Sequence, residues 1–194
     1  MSDEDEEERR GTKEPVLTAR LCLRPASAKD IAALAPLSAA PGIAGNMVGR
    51  PLSEPKEAGE TFAIALHLSG DPIGAIMVAP APDLAWTMTI GCWIGEPHWG
   101  RGFGTEAMQA MIDRAFRDRE TRVLCAAIRV ANHRARRVVE KCGFQFRGGG
   151  MVRSTALGGA VPVERFALER RNWEALRSWG REKGGDREIR NDAA

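Results

Sequence analysis

The sequence predicts a mixed α/β domain: one mixed sheet with helices on its faces, in the order β, α, β, β, β, α, β, α, β, β. Three observations carry this. Several segments alternate apolar and polar residues with a period of two. The stretches after Ser27, Gly102 and Asn132 repeat apolar residues at helical spacing instead. A strand, a glycine-rich turn, a helix and a second strand follow one another between Trp86 and Val130, which is the grammar of a crossover between parallel strands. At 194 residues the chain suits one domain with a sizeable core.

Leu17–Pro25 (LTARLCLRP) puts Leu17, Ala19, Leu21 and Leu23 on one face, a half-buried strand. Ser27 then precedes AKDIAALAPLSA, a helix with Asp30 in its first turn and a break expected at Pro36. Residues 41–56 open with closely spaced Pro and Gly and read as an irregular connection. Thr61–Leu68 and Ile73–Val78, joined by Gly70-Asp71-Pro72, form a hairpin. Trp86–Ile94 (WTMTIGCWI) is a β-rich apolar run. After it GEPHWGRGFGTEA turns into a helix, from Phe103 to about Asp118, with Ala107, Met108, Met111, Ile112 and Ala115 on one stripe. Val123–Val130 is a near-continuous apolar run, as in a strand covered on both faces. Asn132 stands where an N-cap belongs, before HRARRVVEKC, and Gly143 where a helix ends. Phe144–Arg153 and Val161–Glu169 form a last hairpin, and NWEALRSW a short closing helix.

The ends differ from this body. Residues 1–13 begin MSDEDEEERR and are expected to be a disordered acidic tail; residues 181–194 are expected to be a loose charged tail, leaving 14–180 as the single domain. The acidic start is the reverse of a secretion signal, and no window reaches the ~18 apolar residues of a membrane span, so the expected location is the cytoplasm and no membrane partner is expected. Between the tails the charge is modestly positive, which suits an anionic small ligand better than nucleic acid. The four cysteines (Cys22, Cys92, Cys125, Cys142) and three histidines (His67, His98, His133) show no metal-ligand spacing, so no metal is expected. The chain has no tyrosine, which removes phenol chemistry altogether.

The chemistry concentrates in Trp99–Glu106, WGRGFGTE, between a strand and a helix. Its glycines permit close approach of the backbone, and the free N–H groups of the first helical turn make an anion site. A phosphate or pyrophosphate cradle is therefore predicted on Arg101, Gly102, Phe103, Gly104 and Thr105. A plain tight connection is the bland alternative. A nucleotide P-loop lacks its Gly-Lys-Ser/Thr here, and a dinucleotide fingerprint has different glycine spacing and an earlier place in the chain.

Four segments in order, LTARLCLRP, GCWIGEPHWGRGFGTEA, VANHRARRVVEKCGF and FALERRNW, give residues 17–173 a resemblance to the GCN5-related N-acetyltransferase (GNAT) superfamily, in the branch of the bacterial ribosomal-protein alanine N-acetyltransferases (RimJ/RimL-like). The resemblance implies a mostly antiparallel sheet of about seven strands with a splayed central pair. It implies acetyl-coenzyme A as cofactor, held at its pyrophosphate by the Arg101–Thr105 turn. It implies a pantetheine arm paired with the backbone of Ile94, whose N–H would face the thioester carbonyl, and further contacts from Asn132 and Arg136. Arg134 and Arg137 are left between a solvated face and a ribose-phosphate contact. The implied reaction is direct attack by a primary amine, on a protein N-terminus or a small molecule; monomer and homodimer both fit.

The chain departs from the family where a proton must be returned to the leaving thiolate. The family's tyrosine is absent, and Ala135 stands where a serine is usual. Glu96 holds a position that is proline in the family pattern, with Pro97 displaced by one. Cys92 reads as a packed thiol, Glu106 as a carboxylate favoured by its helix terminus, and His98 beside the cradle as the candidate base. The segment 40–60, which usually shapes the acceptor pocket, is short and suggests an open cleft. Two rival functions follow: an acyl-coenzyme A-binding protein of the same fold with weak or no turnover, and a nucleotide-binding fold of another class.

Overall fold

A computed structural model describes residues 14–48, 59–82, 84–154 and 157–188. Eight strands form one sheet: β1 (Val16–Leu17), β2 (Leu21–Pro25), β3 (Glu60–Leu66), β4 (Pro72–Pro80), β5 (Thr87–Ile94), β6 (Val123–Arg129), β7 (Gln145–Ser154) and β8 (Gly159–Glu169). Their order across the sheet is β1-β2-β3-β4-β5-β6-β8-β7. Every neighbour is antiparallel except β5 and β6. The helices are α1 (Ala28–Ser38), α2 (Pro41–Ala44), α3 (Phe103–Ala115), α4 (His133–Lys141) and α5 (Arg170–Glu188).

The eighth strand arises because the expected strand Leu17–Pro25 is two. Thr18 folds the chain back: its N–H donates to the Leu21 carbonyl and its hydroxyl accepts from the Leu21 N–H, both at 2.9 Å. Leu21 and Leu23 are fully buried, while Leu17 and Ala19 are exposed, so the predicted common face holds only for the second half. Helix α1 begins as predicted. The Ser27 side chain accepts from the Asp30 N–H and the Asp30 side chain accepts from the Ser27 N–H, a reciprocal capping box. The helix does not break at Pro36 but runs on to Ser38. A proline one turn from the end removes one hydrogen bond, toward the exposed position of Ala32, and the cap at the other end holds the rest. In the same way α5 runs from Arg170 to Glu188, longer than the expected NWEALRSW.

The sheet carries two cores. On one face α3 lays Ala107, Met108, Met111 and Ile112 against Phe62, Ile64, Ile76, Leu124 and Leu168, all nearly fully buried. Val139 and Cys142 of α4 join that cluster, and Gly143 ends α4 at φ +88 as expected. On the other face α1 packs Leu34 on Ala63 and Ala75, small residues that let the helix sit close, with Trp93 and Leu37 at the edge. Because α1 lies over β4, it leaves β6 half-open on that face. Cys125 and Ala127 are only partly buried, against the expectation of cover on both sides, while Leu124 and Ala126 are buried on the α3 face.

Candidate active site

The site begins where two strands part. β5 and β6 pair only through Thr87↔Val123, Met88↔Leu124 and Thr89↔Cys125, although β5 continues to Ile94 and β6 to Arg129. Beyond Thr89 the two strands diverge and leave a slot. The phase of the β4–β5 ladder decides what faces it. The Gly95 N–H donates to the Ile73 carbonyl at 2.8 Å, so the neighbouring pair Gly74↔Ile94 exchanges no hydrogen bond. Backbone groups alternate along a strand, so the N–H groups of Ile90, Cys92 and Ile94 all turn from β4 toward the slot. The Ile94 carbonyl is held by the Trp99 indole N–H at 2.6 Å, which leaves the Ile94 N–H as the donor at the slot's mouth.

Two helices point their N-termini at this slot. Gly100 and Gly102 adopt φ +77 and +80, left-handed values that cost an L side chain about 1–2 kcal/mol. The chain thereby turns from a 3-10 turn at Glu96–His98 into α3 within a few residues. Gly102 is the N-cap and no side chain caps the helix, so the N–H groups of Phe103, Gly104 and Thr105 have no intrahelical acceptor and open onto the cleft. Gly104 sits flush against the slot, where an added Cβ would lie 3.8 Å from Ile94 Cγ1 and 3.9 Å from Val138 Cγ2. Helix α4 arrives from β6 with Asn132 as N-cap, its Oδ1 accepting from the Ala135 N–H at 3.1 Å.

Together these elements line a cleft of about 730 Å³. Its charged lining side chains are Arg134, Arg137 and Lys141; His98, His133 and Cys92 also line it, and among the described residues no carboxylate does. Two helix termini and three cations make this end suited to polyanions. The Arg134 guanidinium lies over the Trp99 ring at 4.6 Å, tying α4 to the cradle.

The structure sorts the residues singled out from sequence. Ile94, His98, Gly102, Phe103, Gly104, Thr105 and Asn132 come together on the cleft. Arg136 and Arg101 do not line it. Arg136 pairs with Glu164 on β8 and with Glu140 one turn along its own helix, each at 2.9 Å. Arg134, Arg137 and Lys141, three and four residues apart, share the cleft face of α4 instead. Arg101 offers its carbonyl to Arg20 and not its side chain to the cleft. His98 has a buried Nδ1 with no partner. Burial pushes the Cys92 thiol up to about 12, with the neighbouring Cys142 adding to the shift, so Cys92 stays protonated and is a poor acid.

A brace missed by sequence reading steadies the cradle. Glu106 accepts from the Thr18 hydroxyl at 2.6 Å and from the Arg20 N–H at 3.0 Å, and it forms an ion pair with Arg20 at 2.6 Å. Burial would raise its pKa, but these hydrogen bonds outweigh that and hold the carboxyl below its ordinary value. The Arg20 guanidinium also covers the Phe103 ring at 4.7 Å. The alternating pattern of LTARLCLRP drew attention to a strand, and a turn at Thr18–Arg20 with an 86-residue reach leaves no local signal. The short helix α2 is a second surprise. It spans the open end of the slot, held by Glu96 Oε1 accepting from the Gly42 N–H at 2.8 Å and by Arg129 Nη1 donating to the Gly45 carbonyl. The remainder of the presumed acceptor lip, residues 49–58, lies outside the described residues.

Comparison with known proteins adds the following. The family model described as "Acetyltransferase (GNAT) domain" matches residues 20–145. The Bacillus subtilis (strain 168) protein YkkB is 36% identical over 79 residues, which are 40% of this chain and 46% of that protein, so the match spans less than half of that relative. Among solved structures, a spermidine N-acetyltransferase from Vibrio cholerae in complex with coenzyme A and spermine superposes with a TM-score of 0.68 at 17% identity, over 80% of this chain and 99% of that one. RimL, a ribosomal α-N-protein acetyltransferase in complex with coenzyme A, superposes with a TM-score of 0.66 at 17% identity, over 80% and 98%. No described helix is long and apolar enough to cross a membrane.

Proposed function

The chain belongs to the GNAT acetyltransferase family, and from that premise we propose that it is an acetyl-coenzyme A-dependent N-acetyltransferase acting on a primary amine by direct attack. The observation that carries this reading is the convergence of two helix N-termini on a slot whose mouth presents the Ile94 N–H. Solved structures of the same fold contain coenzyme A, and their named acceptors include a polyamine and a ribosomal protein.

The residues present fit this cofactor. The first-turn N–H groups of α3 (Phe103, Gly104 and Thr105), with Arg134, Arg137 and Lys141 close by, would hold the pyrophosphate and ribose phosphate. The unpaired strand edge at Cys92 and Ile94 would take the amide groups of the pantetheine arm. When bound, the cofactor supplies an acetyl thioester, an acyl group activated toward amines. The Ile94 N–H, turned toward the slot by the phase of the β4–β5 ladder, would meet the thioester oxygen as it gains charge, and such a donor lowers a barrier by ~3 kcal/mol. An amine of pKa ~10 must first lose a proton, and we assign that role to His98, which lines the cleft and would receive the proton directly or through water. Ala135 and Cys92 offer no useful acid, so the last proton comes from water, which suits a thiol of pKa ~8.5.

Turnover with a panel of amines, followed by thiol release, tests this reading. Acceptor-dependent release supports it. Tight coenzyme A binding with no release from any amine sinks it in favour of an acyl-coenzyme A-binding protein, the alternative that Ala135 and the lack of tyrosine keep in view. Within the same assay Cys92→Ala is expected to change kcat by less than about threefold; a loss of ~100-fold, typical of a removed acid or base, would make Cys92 part of the chemistry.

A further inference from the structure

Resting on the transferase reading, we infer that Glu96 and Arg129 are positioning residues for the acceptor: they cap helix α2 at its two ends and so fix one lip of the cleft relative to the Ile94 N–H.

Helix α2 is too short to hold itself. It is four residues long, and a single turn closes too few hydrogen bonds to offset the ordering of its residues. Its N-cap, Ala40, makes no side-chain cap bond, and Pro41 in its first turn has no N–H to offer. The N–H groups of Ile43 and Ala44 both donate to the Ala40 carbonyl, each at 2.9 Å. That leaves the Gly42 N–H, which donates to Glu96 Oε1 at 2.8 Å across 54 residues of sequence. At the other end the Gly45 carbonyl accepts from Arg129 Nη1. A carboxylate thus meets the N-terminus of α2 and a guanidinium its C-terminus, the signs that the aligned peptide dipoles favour. The two caps come from opposite arms of the slot. Glu96 stands two residues beyond the end of β5, and Arg129 ends β6.

Neither cap lines the cleft, but α2 does, through Gly42 and Ile43, with Asn46 and Met47 just beyond it. Glu96 and Arg129 therefore act on a bound acceptor through α2 and not by touching it. Glu96 also belongs to the turn that holds the reacting end of β5. Its carbonyl accepts from the Trp99 N–H at 3.1 Å, and the Trp99 indole N–H holds the Ile94 carbonyl at 2.6 Å. Gly42 is wedged against this turn: an added Cβ would lie 2.5 Å from Glu96 Oε1 and 2.7 Å from Trp99 Cη2. The lip is thus seated on the same Trp99 that holds Ile94. Proline, which the family pattern has at position 96, carries no side-chain acceptor and could not make this cap.

The test offers phenethylamine, spermidine and a hexapeptide with a free amino terminus, each with saturating acetyl-coenzyme A, and reads the variants on whichever turns over fastest. Glu96→Ala is expected to raise the acceptor KM by about 5-fold or more, with kcat and coenzyme A affinity changed by less than about 2-fold. Hydrogen exchange of the Gly42 amide is expected to quicken in the same variant. Glu96→Gln keeps an oxygen acceptor and is expected to recover most of both losses. Gly42→Ala, which crowds Glu96 and Trp99, is expected to raise the same KM. Arg129→Met removes the other cap and is expected to act in the same direction; Glu96 is exposed, so its variants carry the test should that one fold poorly. An unchanged acceptor KM in Glu96→Ala overturns the positioning inference. A kcat loss that Glu96→Gln shares with Glu96→Ala makes Glu96 a proton carrier and overturns it as well. Bound coenzyme A with no turnover of any of the three amines overturns the transferase reading, and this inference with it.

Discussion

Gly104→Val is expected to weaken coenzyme A binding by about 100-fold or more and to leave the fold intact. Gly104 has no positive φ, and its added Cβ meets only ordinary contacts, 3.8 Å from Ile94 and 3.9 Å from Val138. The branched methyls must then enter the gap between α3, β5 and α4, over the first-turn N–H groups. Charged hydrogen bonds are worth about 1.5–3 kcal/mol each, so losing two gives ~3–6 kcal/mol, and ~3 kcal/mol is already more than 100-fold. Isothermal titration with coenzyme A, alongside a thermal melt, measures both parts; unchanged affinity would refute the cradle assignment. Gly102→Val, the substitution that the glycine-rich motif itself suggests, is a poorer probe. At φ +80 a valine is strained whatever the space, and its Cβ would approach Arg20 Nη2 at 3.5 Å rather than the ligand side. Lost binding there would mix a refolded turn with a filled cradle.

Ile94→Pro is expected to lower kcat by about 10²–10³ and, because the same strand edge would take the pantetheine arm, to weaken coenzyme A binding as well. Proline removes one N–H, and at this position that N–H faces the slot rather than β4, so no ladder hydrogen bond between the strands is lost. The Trp99 bond to the Ile94 carbonyl also survives, because only the donor is deleted. Ile94→Val keeps the donor and most of the apolar contact and serves as the control, with a rate within a few-fold of the parent. Pre-steady-state acetyl transfer at saturating acceptor separates the chemical step from binding. A proline variant with an unchanged chemical rate would mean that the Ile94 N–H does not meet the developing charge.

The legible part of the site was the part encoded locally. Asn132 as a cap, Gly143 as a helix end and the turn at Gly102 each depend on residues within one or two helical turns, so spacing alone reveals them. The same holds for the stripe Ala107, Met108, Met111 and Ile112, which the structure buries as expected. Arg136, expected as a ligand, pairs with Glu164 and does not line the cleft. On a nine-residue helix, 100° per residue separates Arg136 from Arg137, and only the position of Glu164 on β8 decides which arginine turns away from the cleft.

Other features had no sequence signature. The Thr18–Arg20 brace on Glu106 joins residues 86 and 88 positions apart, and its alternating pattern mimics an unbroken strand. Helix α2 looked like irregular chain because its four residues hold Pro and Gly; it is helical where Glu96 and Arg129 grip its backbone from the two arms of the slot.

From sequence alone came the order of elements, the glycine turn that opens an anion site, the lack of tyrosine and the alanine at position 135. These are local or compositional facts, set by backbone torsion limits and by which side chains exist. The parting of β5 from β6, the direction of the Ile94 N–H and the sorting of the α4 arginines were decided by tertiary structure. Each depends on the phase of a hydrogen-bond ladder or on a partner far away in sequence, and a strand's own residues do not specify where its neighbour's pairing will stop.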